Sequence, residues 1–465
     1  MSQEITKLSA LQIASGVRAR RFTAVAVAEV HLARIERLNL KLNAFTRVTY
    51  ERALDEAAAV DRAIAAGRDP GPLAGAPYSA KNLFDLEGVV TVAGSKINRE
   101  DPPAKADATA VERLKAAGAV CLGATNMGEY AYDFVTINAH DGATRNPHDL
   151  GRSAGGSSGG SGASVAAGMC ALSLGTDTNG SVRVPSSFCG IWGLKPTYGR
   201  LSRAGVFPFA GSLDTIGVFG RDVADLAQAL DAISGPDPRD PVCWPEAYPP
   251  VAPGLGHRAG GLRIGVLGGY FEEGASPEAT AAVQAVAGAL GARERLELPQ
   301  PGLARSAAYV ITAAEGGQLH RDRLAARAKD FDPSSRDRFI AGALTPAAWY
   351  LKAQRFRAWW KTQMAEVLAR YDVLIAPATP IPAPTLDQQT FEFNGQELPV
   401  RANIGLFTQP ITLIGLPVVA APVWSAGRLP IAVQLIGAPN SEATLLRVAR
   451  ALEQEGVCSA PVAAC

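Results

Sequence analysis

Gly155-Gly156-Ser157-Ser158-Gly159-Gly160-Ser161-Gly162 opens a stretch that closes on Thr176-Asp177-Thr178-Asn179-Gly180-Ser181-Val182-Arg183. Serines flanked by glycines present a hydroxyl and bare backbone N–H groups to a small reacting centre. That is equipment for attack on a carbonyl: a nucleophile and an oxyanion hole. A flexible Gly/Ser linker is disfavoured, because residues 163–168 read as a helix start and 170–174 as a strand with no polar spacer between. A phosphate cradle needs a closing Gly-Lys-Ser/Thr, and the tract has no lysine. Nor does any G-x-G-x-x-G follow a strand with an acidic residue about 20 positions on. Residues 155–159 fit G-x-S-x-G in form, but no apolar strand runs into them as a nucleophile elbow requires.

Outward from this stretch, apolar residues recur at three- and four-residue spacing through 23–38 and 50–66, with Thr23 placed as an N-cap. Residues 1–70 read as an N-terminal helical layer, ended by Gly and Pro at 67–72. Residues 77–84 read as a buried strand leading into a loop, 108–118 as a helix, 119–123 as a strand, 222–233 as a helix and 261–267 as a strand. A more polar, more variable segment, about 235–370, reads as a mostly helical layer on the substrate side and includes a helix at 346–370; its Pro-rich start, 235–260, could mark an insertion. Strand signals return at 373–376 and 431–436. Strands alternating with helices argue for an α/β fold with a mixed sheet, and no linker divides the 465 residues.

Composition is that of an ordinary soluble chain: 47% apolar, 19% charged, net charge +1. No basic excess points to nucleic acid and no polybasic stripe to a membrane surface. Residues 1–10 lack the apolar core of a signal peptide. No apolar run reaches the roughly 18 residues that span a bilayer, since 411–424 is broken by Gly415, Pro417 and Pro422. The expected location is cytoplasmic. The six cysteines form no C-x-x-C pair, and Cys170 and Cys189 read as small apolar core residues.

A serine nucleophile needs a base. Of His31, His140, His148, His257 and His320, none stands in a context that marks it as a partner base, and no His/Asp cluster suggests a metal. Lys81 is the better candidate, because it lies in an otherwise largely apolar strand. Buried beside hydroxyls, its pKa would fall by desolvation until it could accept a proton. The alternative is a lysine that snorkels to the surface, and spacing alone does not choose between them.

Residues 155–160 and 176–185, Phe188-Cys189-Gly190 and Gly193-Leu194-Lys195-Pro196-Thr197 together resemble the amidase signature family. So do Gly123-Ala124-Thr125-Asn126-Met127, Thr144-Arg145-Asn146-Pro147 and Leu429-Pro430-Ile431 with Gln434-Leu435-Ile436-Gly437. The resemblance covers essentially the whole chain. It implies one large α/β domain over 1–465, with a central mixed sheet flanked by helices on both faces. It also implies a Ser–cis-Ser–Lys triad: Ser181 as nucleophile, Ser157 as the bridging serine after a cis peptide bond, and Lys81 as base. The N–H groups of Thr178, Asn179, Gly180 and Ser181 are expected to hold the oxyanion, and no metal or organic cofactor is implied.

The family at large has Gly where this chain has Asn179, and Asp where it has Asn82. With residues 261–269, 313–317 and 349–357, these variants resemble the branch of 1-carboxybiuret hydrolases, which act in bacterial cyanuric acid breakdown. The implied substrate is a small anionic ureido amide that releases ammonia. The branch is similar to enzymes that work with a small helical partner protein, so a homo- or hetero-oligomer is expected. An anionic substrate calls for an arginine. Arg338 lies where related amidases place a substrate-binding Arg, and Tyr132 is placed as a pocket wall. Both remain open to ordinary surface or core roles. Arg183 is expected to brace the nucleophile loop. Other readings are the glutaminase component of a tRNA-dependent amidotransferase, an allophanate- or oxalurate-type amidase, and an inactive scaffold. The scaffold is disfavoured because Lys81, Ser157 and Ser181 are all present.

Overall fold

Strands from residue 45 to residue 436 join one sheet, so the chain folds as a single α/β domain. The computed structural model describes residues 2–257 and 260–465. Eleven strands make the sheet: β1 (Phe45–Val48), β2 (Pro77–Lys81), β3 (Val120–Thr125), β4 (Leu172–Asp177), β5 (Trp192–Lys195), β6 (Thr215–Gly220), β7 (Ile264–Leu267), β8 (Glu294–Leu296), β9 (Val373–Pro377), β10 (Val418–Val423) and β11 (Ile431–Ile436). Their order is β1-β3-β2-β4-β6-β5-β10-β11-β9-β7-β8. Pairing is mixed: β2 runs parallel to β3 and β4, while β6 is antiparallel to β4 and β5. Every residue of β2, β3, β4, β5, β6, β9, β10 and β11 is buried. Strands buried along their full length need cover on both faces, and the helices supply it.

Several elements fall where their residue pattern puts them. Thr23 caps the helix Ala24–Leu42, its hydroxyl accepting from Ala26 N–H at 3.0 Å. Asp222 caps Val223–Ile233 in the same way. The segment from 301 to 370 is largely helical, with helices Pro301–Leu319, Pro333–Ala343 and Ala347–Arg370. Residues 235–260 carry one short 3-10 turn among the described residues, Ala252–Gly254, and residues 258 and 259 lie outside them.

Two expectations are corrected. The helix expected to start at 163 spans Gly159–Ala166, so it begins inside the glycine tract. Glycine is a poor helix former, but here packing overrides propensity. A Cβ on Gly160 would stand 2.4 Å from the Ala44 carbonyl oxygen and 2.5 Å from Asn126 N. The strand expected at 170–174 spans Leu172–Asp177, which carries Thr176 and Asp177 to the strand's end.

The broken apolar run 411–424 becomes the end of a short helix, Gln409–Thr412, followed by β10. Pro422 fits in that strand because β5 pairs with it only as far as Ala420, so the missing N–H breaks no ladder bond on that side. No helix among the described residues is long and apolar enough to cross a membrane.

Candidate active site

The end of β2 and the two ends of the Gly155–Arg183 stretch converge. Lys81, the last residue of β2, is fully buried. Its Nζ donates to Ser157 Oγ at 2.8 Å and to Thr176 Oγ1 at 2.9 Å. Ser157 Oγ in turn donates to Ser181 Oγ at 3.0 Å, and the Gly156–Ser157 peptide bond is cis. Burial pulls the Lys81 pKa down to about 7, although Asp133, Asp214 and Asp177 favour its charge. The snorkelling alternative is thereby removed. The lowered pKa brings the neutral amine within reach near neutral pH, and the three groups form one hydrogen-bonded line.

Ser181 follows a loop that leaves β4 and enters the helix Arg183–Cys189. Gly180 has φ +136°, and a Cβ there would stand 2.3 Å from Thr408 Oγ1, so only glycine fits the turn. Asp177 clamps the loop: its carboxylate accepts from Gly180 N (2.7 Å), Val182 N (3.2 Å) and Arg183 Nε (2.9 Å). Burial opposes the Asp177 charge, but Arg183 and these donors hold its carboxyl below the usual range.

Arg183, wholly buried, spends its remaining donors on the Thr408 carbonyl (3.0 Å), Gln434 Oε1 (2.7 Å) and Thr412 Oγ1. Arg183 thus has the bracing place expected of it. Removing one partner of such a buried pair costs about 3–5 kcal/mol.

Within the expected oxyanion set, one N–H already has an acceptor. Gly180 N–H is committed to Asp177, so it is not open to a substrate oxygen. The amides of Thr178, Asn179 and Ser181 carry no such bond among the described residues. Thr178 is held through its hydroxyl, which donates to Asp214 at 2.6 Å.

Ser181 opens into a pocket whose walls include Tyr132, Phe134, Asn179, Phe209, Tyr309 and Arg338. Tyr132 and Arg338, brought forward by the sequence, therefore stand together beside Ser181. The Arg338 guanidinium carbon lies 3.6 Å from the centre of the Tyr132 ring, and Nη1 donates to the Tyr132 carbonyl at 2.6 Å. Arg338 Nε and the Tyr132 hydroxyl are buried and make no well-formed hydrogen bond among the described residues, although the phenol lies close to the Arg338 and Tyr309 side chains. Burial pushes the phenol pKa up to about 12, which keeps it a donor. A pocket holding a guanidinium and a phenol with unspent donors suits a carboxylate.

No histidine among the described residues joins the Lys81–Ser157–Ser181 line. His31 and His320 are buried, and desolvation lowers both to about 3. His140 pairs with Glu129 and His148 with the Cys189 carbonyl. Cys170 and Cys189 are buried core residues whose thiols desolvation pushes up. Sequence reasoning missed Asp214 and Thr312, and quoted Thr176 and Asp177 without giving either a role. A lone carboxylate at the end of an apolar strand, six residues before an arginine, was the available signal for Asp177. Thr312 comes from a helix with no motif around it.

The Amidase family profile matches residues 26–446. The chain belongs to the amidase signature family, and it is an amide C–N hydrolase. It is 53% identical over 452 residues to AtzE, the 1-carboxybiuret hydrolase subunit of Pseudomonas sp. (strain ADP), covering 97% of this chain and 99% of that protein. It is 39% identical over 480 residues to a glutamyl-tRNA(Gln) amidotransferase subunit of Carboxydothermus hydrogenoformans, covering 97% and 98%. A solved inhibitor-bound structure is also similar. It is described as a vestigial protein complex revealing the origins of an s-triazine catabolic enzyme. It matches at 52% identity and a TM-score of 0.96 over 97% of this chain and 100% of that one.

Proposed function

We propose that the protein hydrolyses the terminal amide of a small anionic ureido compound of the 1-carboxybiuret type, releasing ammonia. The observation that carries this reading is the unbroken hydrogen-bonded line from Lys81 Nζ through Ser157 Oγ to Ser181 Oγ, ending in a pocket with Arg338. The 53% identity to a 1-carboxybiuret hydrolase supports the substrate class.

With Lys81 neutral, the hydroxyl hydrogens rotate so that Ser181 donates to Ser157 and Ser157 to Lys81. Ser181 Oγ attacks the amide carbon as its proton passes to Ser157 and that of Ser157 to Lys81. The oxyanion accepts from the N–H groups of Thr178, Asn179 and Ser181. The C–N bond then breaks, and the proton returns along the same line to the leaving nitrogen, giving ammonia and an acyl-serine. Water enters by the same relay and releases the acid. The sum is R–CO–NH2 + H2O → R–COO⁻ + NH4⁺.

A small helical accessory protein in a homo- or hetero-oligomer belongs to the same reading. It is supported by the relative's being one subunit of its enzyme. The apolar side chains Leu344, Trp349 and Leu351, more than half exposed, support it too.

The test is ammonia release from 1-carboxybiuret, biuret, allophanate, oxalurate and glutamine, by the chain alone and co-expressed with any small helical protein found encoded beside it. An anionic ureido amide should be turned over, and Ser181→Ala should lose on the order of 10⁴-fold or more. Unchanged release by that variant would overturn the mechanism. Release from glutamine alone would overturn the substrate class. Identical mass and activity with and without the added protein would remove the partner.

A further inference from the structure

We infer that Asn179 reads a substrate N–H lying between the scissile carbonyl and the rest of the acyl group, so that the pocket selects ureido amides over carbon-linked ones. The inference rests on the proposed hydrolysis at Ser181 and adds the feature of the substrate that the site recognises.

Asn179 stands two residues before Ser181 and lines the same pocket. It is pinned at both ends. Its backbone carbonyl accepts from Thr408 Oγ1 at 2.6 Å, and its side-chain Nδ2 donates to Thr312 Oγ1 at 2.9 Å. Nδ2 is committed to that hydroxyl, and Oδ1 is left over. The residue is only 7% exposed, and Oδ1 is buried with no partner among the described residues. An amide oxygen only accepts, and a buried acceptor left unpaired is costly. The missing partner is therefore a donor that the ligand brings.

The other two orphaned groups of this pocket, Arg338 Nε and the Tyr132 hydroxyl, are donors. The lining thus offers one acceptor on the residue next but one to the serine, and two donors at the Arg338–Tyr132 pair. A ureido acid carries the complementary pattern: an N–H next to the scissile carbonyl and a carboxylate beyond it. Glutamine and other carbon-linked amides have CH2 in place of that N–H. Their binding would leave Oδ1 facing CH2 with no donor, and a site built around such a bond rejects the analogue that lacks it.

Hydantoate and succinamate isolate the difference, since they differ only in NH for CH2 beside the terminal amide. Their dissociation constants are measured on Ser181→Ala protein, so that turnover does not enter. Hydantoate should bind more tightly by on the order of 10-fold. Adding Asn179→Gly, which keeps the backbone and removes the acceptor, should bring the ratio close to one. Thr312→Val, which unpins the amide but keeps it, should narrow the ratio in part.

Equal binding of the two acids, no binding of either, or a preference that survives Asn179→Gly would overturn the inference. Ammonia release separates the two levels. A wild-type enzyme that hydrolyses ureido amides while Asn179→Gly keeps the preference sinks only the role of Asn179. A wild-type enzyme inert toward every ureido amide sinks the functional reading beneath it.

Discussion

Lys81 and Lys195 make a natural pair. Each is the last residue of a strand in the same sheet, each is fully buried, and desolvation brings each down to about 7. Their neighbours differ. Lys81 reaches two hydroxyls, and one of them, that of Ser157, is hydrogen-bonded in turn to Ser181. Lys195 donates to the Pro196 carbonyl at 2.9 Å, an acceptor that has no proton to give. Burial lowers the proton affinity of both amines, and only Lys81 stands beside the line of hydroxyls that the proposed mechanism needs. A shifted pKa is thus a poor pointer to a site when taken without geometry.

Three measurements would erase or deepen the contrast between the two lysines. Lys81→Met should lower kcat/KM on the order of 100-fold or more, with the folded state intact by circular dichroism. A loss below tenfold would remove Lys81 as the base.

The pH profile comes next. Lys81 accepts a proton only when neutral, so kcat/KM should be flat above about pH 7 and fall about tenfold per unit below it. A profile flat down to pH 5 would contradict this.

The smallest effect is expected for Lys195→Met: less than tenfold in kcat/KM and an unchanged inflection near pH 7, with any larger change confined to the melting temperature. If the inflection moved with Lys195 instead, the two lysines would have to exchange roles.

The sequence carried unequal amounts of this. Lys81 stood out because a charge in an apolar strand is rare, whereas Ser157 and Ser181 were picked out of a serine-rich tract only by the resemblance to the amidase signature family. Helices with strong periodicity and a side-chain cap, such as the one begun by Thr23, were legible to within a few residues. Gly159–Ala166 was not, because its glycines answer to close contacts with residues distant in sequence, Thr136, Ala44, Asn126 and Pro185, that no local pattern shows. Asp177 lay inside the quoted motif, but its task of holding Gly180, Val182 and Arg183 is visible only once the loop has folded back on it. Thr312 meets Asn179 across 133 residues, a separation at which spacing carries no information.

Arg183 has a consequence for biosynthesis. Its nearest anion, Asp177, is made just before it, but Thr408, Thr412 and Gln434 emerge from the ribosome more than 200 residues later. Until they arrive, the guanidinium has only Asp177 of its four partner residues, and the segment behind Ser181 has nothing to lock against. Both serines and the lysine are therefore translated long before the chain can use them. Competence comes at the end of synthesis, and a chain abandoned midway carries the reactive groups without the anchor that arranges them.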